Sequence, residues 1–176
     1  MAKQCIYSLD QLKGGRDVIV VDIGDLKVSS SDRAATIITY ALGSCIAVTL
    51  YDPVEQIGGM LHFLLPCRAS IRAVGRDNPF KYPDTALAAL LAKVVALGGR
   101  RRRLKVKVIG AASILRRTSN APDIGRQNYI ALLGELSGRK LEITSQDVGG
   151  THSRTAMLDL SSGTVTIRSN RKITEI

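Results

Sequence analysis

Leu87, Leu90, Leu91, Val94 and Leu97 recur at the spacing of one helix face. This predicts a helix over 83–98, with Asp84 available as its cap and Gly98-Gly99 as its stop. A second stripe, Tyr129, Leu132, Leu133 and Leu136, predicts a helix over 126–136 that Gly138 ends. Elsewhere the pattern shortens into β-branched runs bounded by turn residues. These predict strands over 18–21, 35–39, 46–51, 58–65, 104–109, 141–146, 155–160 and 164–169.

Strands therefore outnumber helices, and several neighbours are joined by short turns. The expected fold class is α+β: a layered α/β sandwich with a mixed, mostly antiparallel sheet and two main helices. A doubly wound nucleotide fold needs regular alternation of strand and helix, which this order lacks. Gly58-Gly59 and Gly149-Gly150 form neither standard phosphate-binding loop.

Composition narrows the picture. A length of 176 residues suits one domain, read as 1–176 with residues 1–16 as a loosely held lead-in. With 45% hydrophobic and 23% charged residues, folding rests on apolar burial rather than on disulfides. No apolar run is long enough to cross a bilayer, and the opening Met1 to Cys5 lacks the apolar stretch of a signal peptide; a cytoplasmic location without membrane insertion is expected. Cys5, Cys45 and Cys67 are odd in number and irregularly spaced, which points to reduced thiols and to no zinc site. The net charge of +10 is concentrated partly in Arg100 to Arg103, Lys105 and Lys107. Two Phe, five Tyr and no Trp leave few stacking platforms, so nucleic acid is disfavoured as a partner. The block reads as a solvated strand entrance, or as a surface for an acidic protein.

Candidate chemistry lies between Thr39 and Pro66. Leu42-Gly43-Ser44 reads as a tight turn that sets Cys45 at the first position of the next strand, open to substrate and close to free backbone N–H groups. Asp52-Pro53-Val54-Glu55 reads as the following turn. If Tyr51 faces Gln56 across that hairpin, counting back sets Cys45 opposite His62, with Cβ atoms about 5 Å apart. A thiol of pKa about 8.5 needs a base or cation beside it to react at neutral pH, and His62 could take its proton. The hydroxyls of Thr39, Thr36 and Ser44 are candidates to orient the imidazole, and Ser44 also for substrate binding. The competing reading is packing, since cysteines are commonly buried and His62 lies within an apolar run. Cys5 and Cys67 read as incidental, and His152 as an exposed loop residue.

This segment resembles the CheD family of chemoreceptor glutamine deamidases. The resemblance rests on Thr39 six residues before Cys45, Leu42-Gly43-Ser44-Cys45, Asp52-Pro53, Gly58-Gly59-Met60, His62 and Leu65-Pro66. It extends to Tyr82 and its helix, Ile124-Gly125 with Asn128, and residues 147–154, covering about 18–167. One departure is Ile109-Gly110-Ala111-Ala112, where the family usually has Phe-Gly-Gly-Ala. The resemblance implies a fold related to the catalytic domain of cytotoxic necrotizing factor. It also implies Cys45 as nucleophile, His62 as general base, Thr39 as the residue orienting it, and no cofactor. The implied substrates are glutamines on methyl-accepting chemoreceptors, with a CheC-type phosphatase as a further partner. The alternative is a non-catalytic adaptor that binds CheC or receptors.

Overall fold

A computed structural model describes residues 17–67, 78–113, 123–170 and 172–176; Cys5 and the lead-in lie outside them. The described strands are β1 (Asp17–Val20), β2 (Asp25–Ser30), β3 (Ala34–Leu42), β4 (Ile46–Asp52), β5 (Ile57–Phe63), β6 (Lys105–Gly110), β7 (Ile143–Val148), β8 (Arg154–Asp159), β9 (Val165–Ser169) and β10 (Lys172–Glu175). The helices are α1 (Pro83–Ala96) and α2 (Ile124–Gly138). One five-stranded sheet has the order β1-β3-β8-β9-β10 and the other β2-β5-β4-β6-β7. Pairing is antiparallel except for β1 with β3 and β6 with β7. This is the layered, mixed sandwich expected of the pattern, divided into two sheets.

Side-chain alternation along the central strands explains the layers. Every residue of β4 and β5 is buried. Ile46, Val48, Leu50, Leu61 and Phe63 meet Leu87, Leu90 and Val94 of α1 and Leu132 and Leu136 of α2. Ala47 and Met60 turn the other way, to Ile37, Leu42, Ala156 and Leu158 of the second sheet. The β2-β5-β4-β6-β7 sheet is thus the middle layer, with helices on one face and the second sheet on the other. Close approach needs small residues: a methyl on Gly59 would stand 2.7 Å from Leu90 Cδ1, and one on Gly58 2.8 Å from Leu160 Cδ2.

Several local expectations change. Asp84 is not the cap of α1; it lies in the first turn after Pro83, and Tyr82 occupies the cap position. Asp123 caps α2 by accepting from Arg126 N, so this helix starts before residue 126. Its buried stripe is Gly125, Asn128, Leu132 and Leu136, whereas Leu133 is 40% exposed. β2 and β10 add two strands not expected from the pattern.

The basic run is partly consumed by structure. Arg101–Arg103 form a short 3-10 turn. Arg103 donates to the buried carboxylate of Asp52 through Nε at 2.9 Å and Nη2 at 2.7 Å, and also to Glu55. Burial pushes the Asp52 pKa up. The hydrogen bonds from Arg103 and from the N–H groups of Arg100, Val54 and Glu55 outweigh this and hold it at about 2. This knot ties the β4–β5 hairpin to the entrance of β6.

Candidate active site

The hairpin register differs from the expected one. Tyr51 pairs with Gly58, Asp52 with Ile57 and Ala47 with His62, so His62 lies opposite Ala47 and not Cys45. Asp52, anchored by Arg103, stays in the strand, and the chain reverses through residues 53–56, with Gln56 at φ 51. Because the offset is two residues, facing is preserved. Cys45, two residues before Ala47, packs against the inter-sheet cluster that holds Ala47 and Met60, placing it diagonally from His62 on the same face.

Thr39 reaches this face by a different device. Thr39 pairs with Ala156 and Leu42 with Arg154, so β3 carries an extra residue between these pairs. This bulge, with Ala41 at φ 55, lets Thr39 and Leu42 both be buried although they are three apart. Thr39 Oγ1 lies 2.8 Å from Val21 O and 2.8 Å from His62 Nδ1, so a chain of hydrogen bonds crosses from one sheet to the other.

Proton counting assigns the tautomer. A hydroxyl has one proton, and a carbonyl can only accept. Thr39 therefore donates to Val21 O, and His62 Nδ1–H donates to Thr39. His62 Nε2 is left unprotonated, with its lone pair free. Nε2 is buried and has no hydrogen-bond partner among the described residues. Burial pushes the His62 pKa down to about 4, and the carboxylate of Asp22 offsets only part of this. Burial also raises the Cys45 thiol, against a smaller lowering by its own backbone N–H. At neutral pH the pair is therefore a thiol and a neutral imidazole rather than a thiolate and an imidazolium.

The turn before β4 is held by its carbonyls. Gly43 O accepts from Ala112 N at 2.8 Å, Ser44 O from Asn128 Nδ2 at 2.9 Å and Cys45 O from Ala111 N at 2.9 Å. A side chain at Gly110 would have its Cβ 2.2 Å from Cys45 O, so only glycine fits there. Ala111, at the position where the chain departs from the Gly-Gly pattern, takes φ 56, a conformation glycine adopts without strain. Ala111 also lines a cleft of about 210 Å³ with Ser113, Asp123, Arg126, Tyr129 and Gly149.

Thr36 pairs with Asp159 farther along β3, and the contact to His62 is made by Thr39. Ser44 is half-buried and is engaged through its carbonyl. Cys67 is exposed, as is His152, whose Nδ1 lies beside the Thr151 hydroxyl. Sequence reasoning overlooked the carbonyl of Val21, and it placed Asn128 only within the family pattern, without a role. The one local signal for the latter is a polar residue on the buried stripe of α2.

Fold and site together define a two-sheet α+β sandwich with a thiol and a threonine-held imidazole on one face, where the chain crosses between its sheets. Residues 64–169 match the family model described as CheD chemotactic sensory transduction. Proteins named "Probable chemoreceptor glutamine deamidase CheD" are similar over nearly the whole chain. The one from Solibacter usitatus (strain Ellin6076) is 39% identical, covering 90% of this chain and 92% of its own. That from Thermococcus kodakarensis is 41% identical, covering 89% and 97%, and that from Methanococcus vannielii 38%, covering 90% and 99%. The chain belongs to the CheD family.

Proposed function

We propose that the protein is a hydrolase that deamidates specific glutamine side chains of chemoreceptors to glutamate, acting in chemotaxis through a Cys45 thioester. The observation that carries this reading is the chain Val21 O, Thr39 Oγ1, His62 Nδ1, which leaves a basic, unpartnered Nε2 on the face that holds Cys45. The names of the relatives supply the substrate class.

The steps follow from this arrangement. His62 Nε2 takes the thiol proton as Cys45 Sγ attacks the glutamine amide carbon, and the carbonyl oxygen becomes an oxyanion facing backbone N–H groups. Collapse of the tetrahedral species breaks the C–N bond, and the Nε2 proton leaves with the amine as ammonia. Water then gives a proton to Nε2 and attacks the thioester, releasing glutamate and the Cys45 thiol. Thr39 holds the ring orientation throughout and stabilises the imidazolium formed in each half. The Cys45 and His62 side chains close on each other when substrate docks, since catalytic hydrogen bonds are often long in the free enzyme.

In this reading the whole chain serves as one deamidase domain in the cytosol, where receptor helical bundles are exposed, and a CheC-type phosphatase competes for the same face. Incubating a chemoreceptor cytoplasmic fragment with the protein and mapping it by mass spectrometry tests the proposal. The expected result is conversion of selected Gln to Glu with ammonia release, abolished in a folded Cys45→Ala variant. Conversion that survives Cys45→Ala would reject the thiol mechanism. A wild-type protein that binds the fragment without converting it would instead favour an adaptor.

A further inference from the structure

Asn128 is fully buried on the face of α2 that packs against the middle sheet. Leucine would serve helix packing at this position, as it does at Leu132 and Leu136. The amide instead spends both donors on two carbonyls: Ser44 O at 2.9 Å, in the turn before Cys45, and Leu64 O at 3.0 Å, just past the end of β5. Two acceptors around one terminus identify that terminus as the NH₂ group. The Oδ1 atom has no partner among the described residues, a cost that packing alone gives no reason to bear.

The consequence lies in the peptide between residues 44 and 45. A trans peptide points its C=O and N–H in opposite directions. Drawing Ser44 O toward α2 therefore turns the Cys45 N–H away from α2. That N–H lies near its own sulfur, where it favours the thiolate against the effect of burial. The flanking carbonyls, Gly43 O and Cys45 O, are held by main-chain N–H groups of Ala112 and Ala111. Asn128 is the side chain that holds the middle one, and through Leu64 it ties the nucleophile turn to the strand that carries His62.

We propose that Asn128 is a positioning residue that aims the backbone N–H of Cys45 at the site where the oxyanion forms, while fixing the nucleophile turn against β5. The proposal rests on the thioester reading for its kinetic consequence, but its geometric part can be read without substrate. Asn128→Ala removes both donors, and Asn128→Ser keeps one shorter donor. Three quantities are measured: thermal midpoint, kcat and KM on a chemoreceptor cytoplasmic fragment, and the pH profile of Cys45 alkylation by iodoacetamide.

Folded Asn128→Ala is expected to lose about 100-fold in kcat, with KM nearly unchanged. Its alkylation profile should move to higher pH, and Asn128→Ser should recover part of both. Wild-type kcat in folded Asn128→Ala would overturn the proposal. So would a lowered kcat with an unmoved alkylation profile, which would assign Asn128 a packing role. If Asn128→Ala does not fold, the same criteria applied to Asn128→Ser decide. If the wild-type protein does not deamidate the fragment, the functional reading fails, while the alkylation profiles still decide whether Asn128 orients the Cys45 amide.

Discussion

Thr39 Oγ1 and His62 Nδ1, 2.8 Å apart, join the two sheets of the sandwich at a fully buried contact. Each residue belongs to a different sheet, so the ring that would serve as base is fixed relative to both layers. The contact works only with the hydroxyl proton committed to Val21 O, which makes Thr39 an acceptor toward the imidazole. Thr39→Val keeps the shape and loses the acceptor. We expect kcat for ammonia release to fall about 100-fold in Thr39→Val, and Thr39→Ser to retain most activity. Retained activity in Thr39→Val with a loss in Thr39→Ser would show that the methyl group, rather than the hydroxyl, matters.

A neutral thiol on the same face as a neutral imidazole predicts a particular reactivity. Burial raises the Cys45 pKa, and His62 titrates only near 4. Without substrate, Cys45 alkylation should climb toward alkaline pH and show no plateau of reactive thiolate between pH 5 and 7. If His62 is the base of the proposed reaction, deamidation should instead be lost only as pH falls toward about 4. An acid plateau in alkylation would mean that the resting enzyme holds a thiolate-imidazolium pair.

Stability should follow the same histidine. Its folded pKa, about 4, lies below the unfolded value of 6.5, so above pH 6.5 the contribution to folding is fully present. As pH falls from 6.5 to 4 the unfolded chain binds a proton that the folded chain does not. Stability is lost across that window, by about 3 kcal/mol. Asp52 adds a second, lower window: its carboxylate favours folding above its ordinary pKa of 3.8 and loses that effect as pH falls to about 2. Urea midpoints between pH 7 and 4.5 should decline in the wild type and stay nearly flat in His62→Asn, which keeps a donor toward Thr39.

Asp52 also holds the hairpin end. It accepts from Arg100 N, Val54 N, Glu55 N and the Arg103 guanidinium, and its side chain is fully inaccessible. Asp52→Asn keeps the shape but removes the charge that Arg103 faces. We expect a loss of about 2 kcal/mol, seen as a thermal midpoint lower by about 4–8 °C.

Much of this architecture was legible in the residues. Both helices and eight of the strands were expected close to where they occur, because their apolar spacing or β-branched runs are strong. β2 and β10 escaped notice since each is the outer strand of its sheet and carries polar residues, as in Lys27, Ser29, Lys172 and Glu175. The pairing of Cys45 with His62 was displaced by two residues because turn composition alone does not reveal that Asp52 is anchored by Arg103, 51 positions away. Thr39 stood out from Thr36 and Ser44 only through the resemblance to the CheD pattern. Val21 and Asn128 act through bonds spanning 18 and 84 positions; local pattern gives no sign of the first and, for the second, only a polar residue on a buried stripe.

Gly58 and Gly59 face opposite layers, and the difference between them is testable. A methyl on Gly58 would meet the side-chain ends of Leu160 at 2.8 Å and of Leu158 and Tyr51 at 3.1 Å, groups that can rotate or shift. On Gly59 it would meet Leu90 Cδ1 and Val28 Cγ1 at 2.7 Å and the backbone carbonyl of Lys27 at 2.9 Å. A strand carbonyl and a β-branched neighbour yield little. Gly59→Ala should therefore cost about 3 kcal/mol and Gly58→Ala about 1 kcal/mol. Urea unfolding of the two variants gives the order directly. A larger loss at Gly58 would mean that the contact between the two sheets, rather than the seat of α1 on the middle sheet, is the tighter of the two.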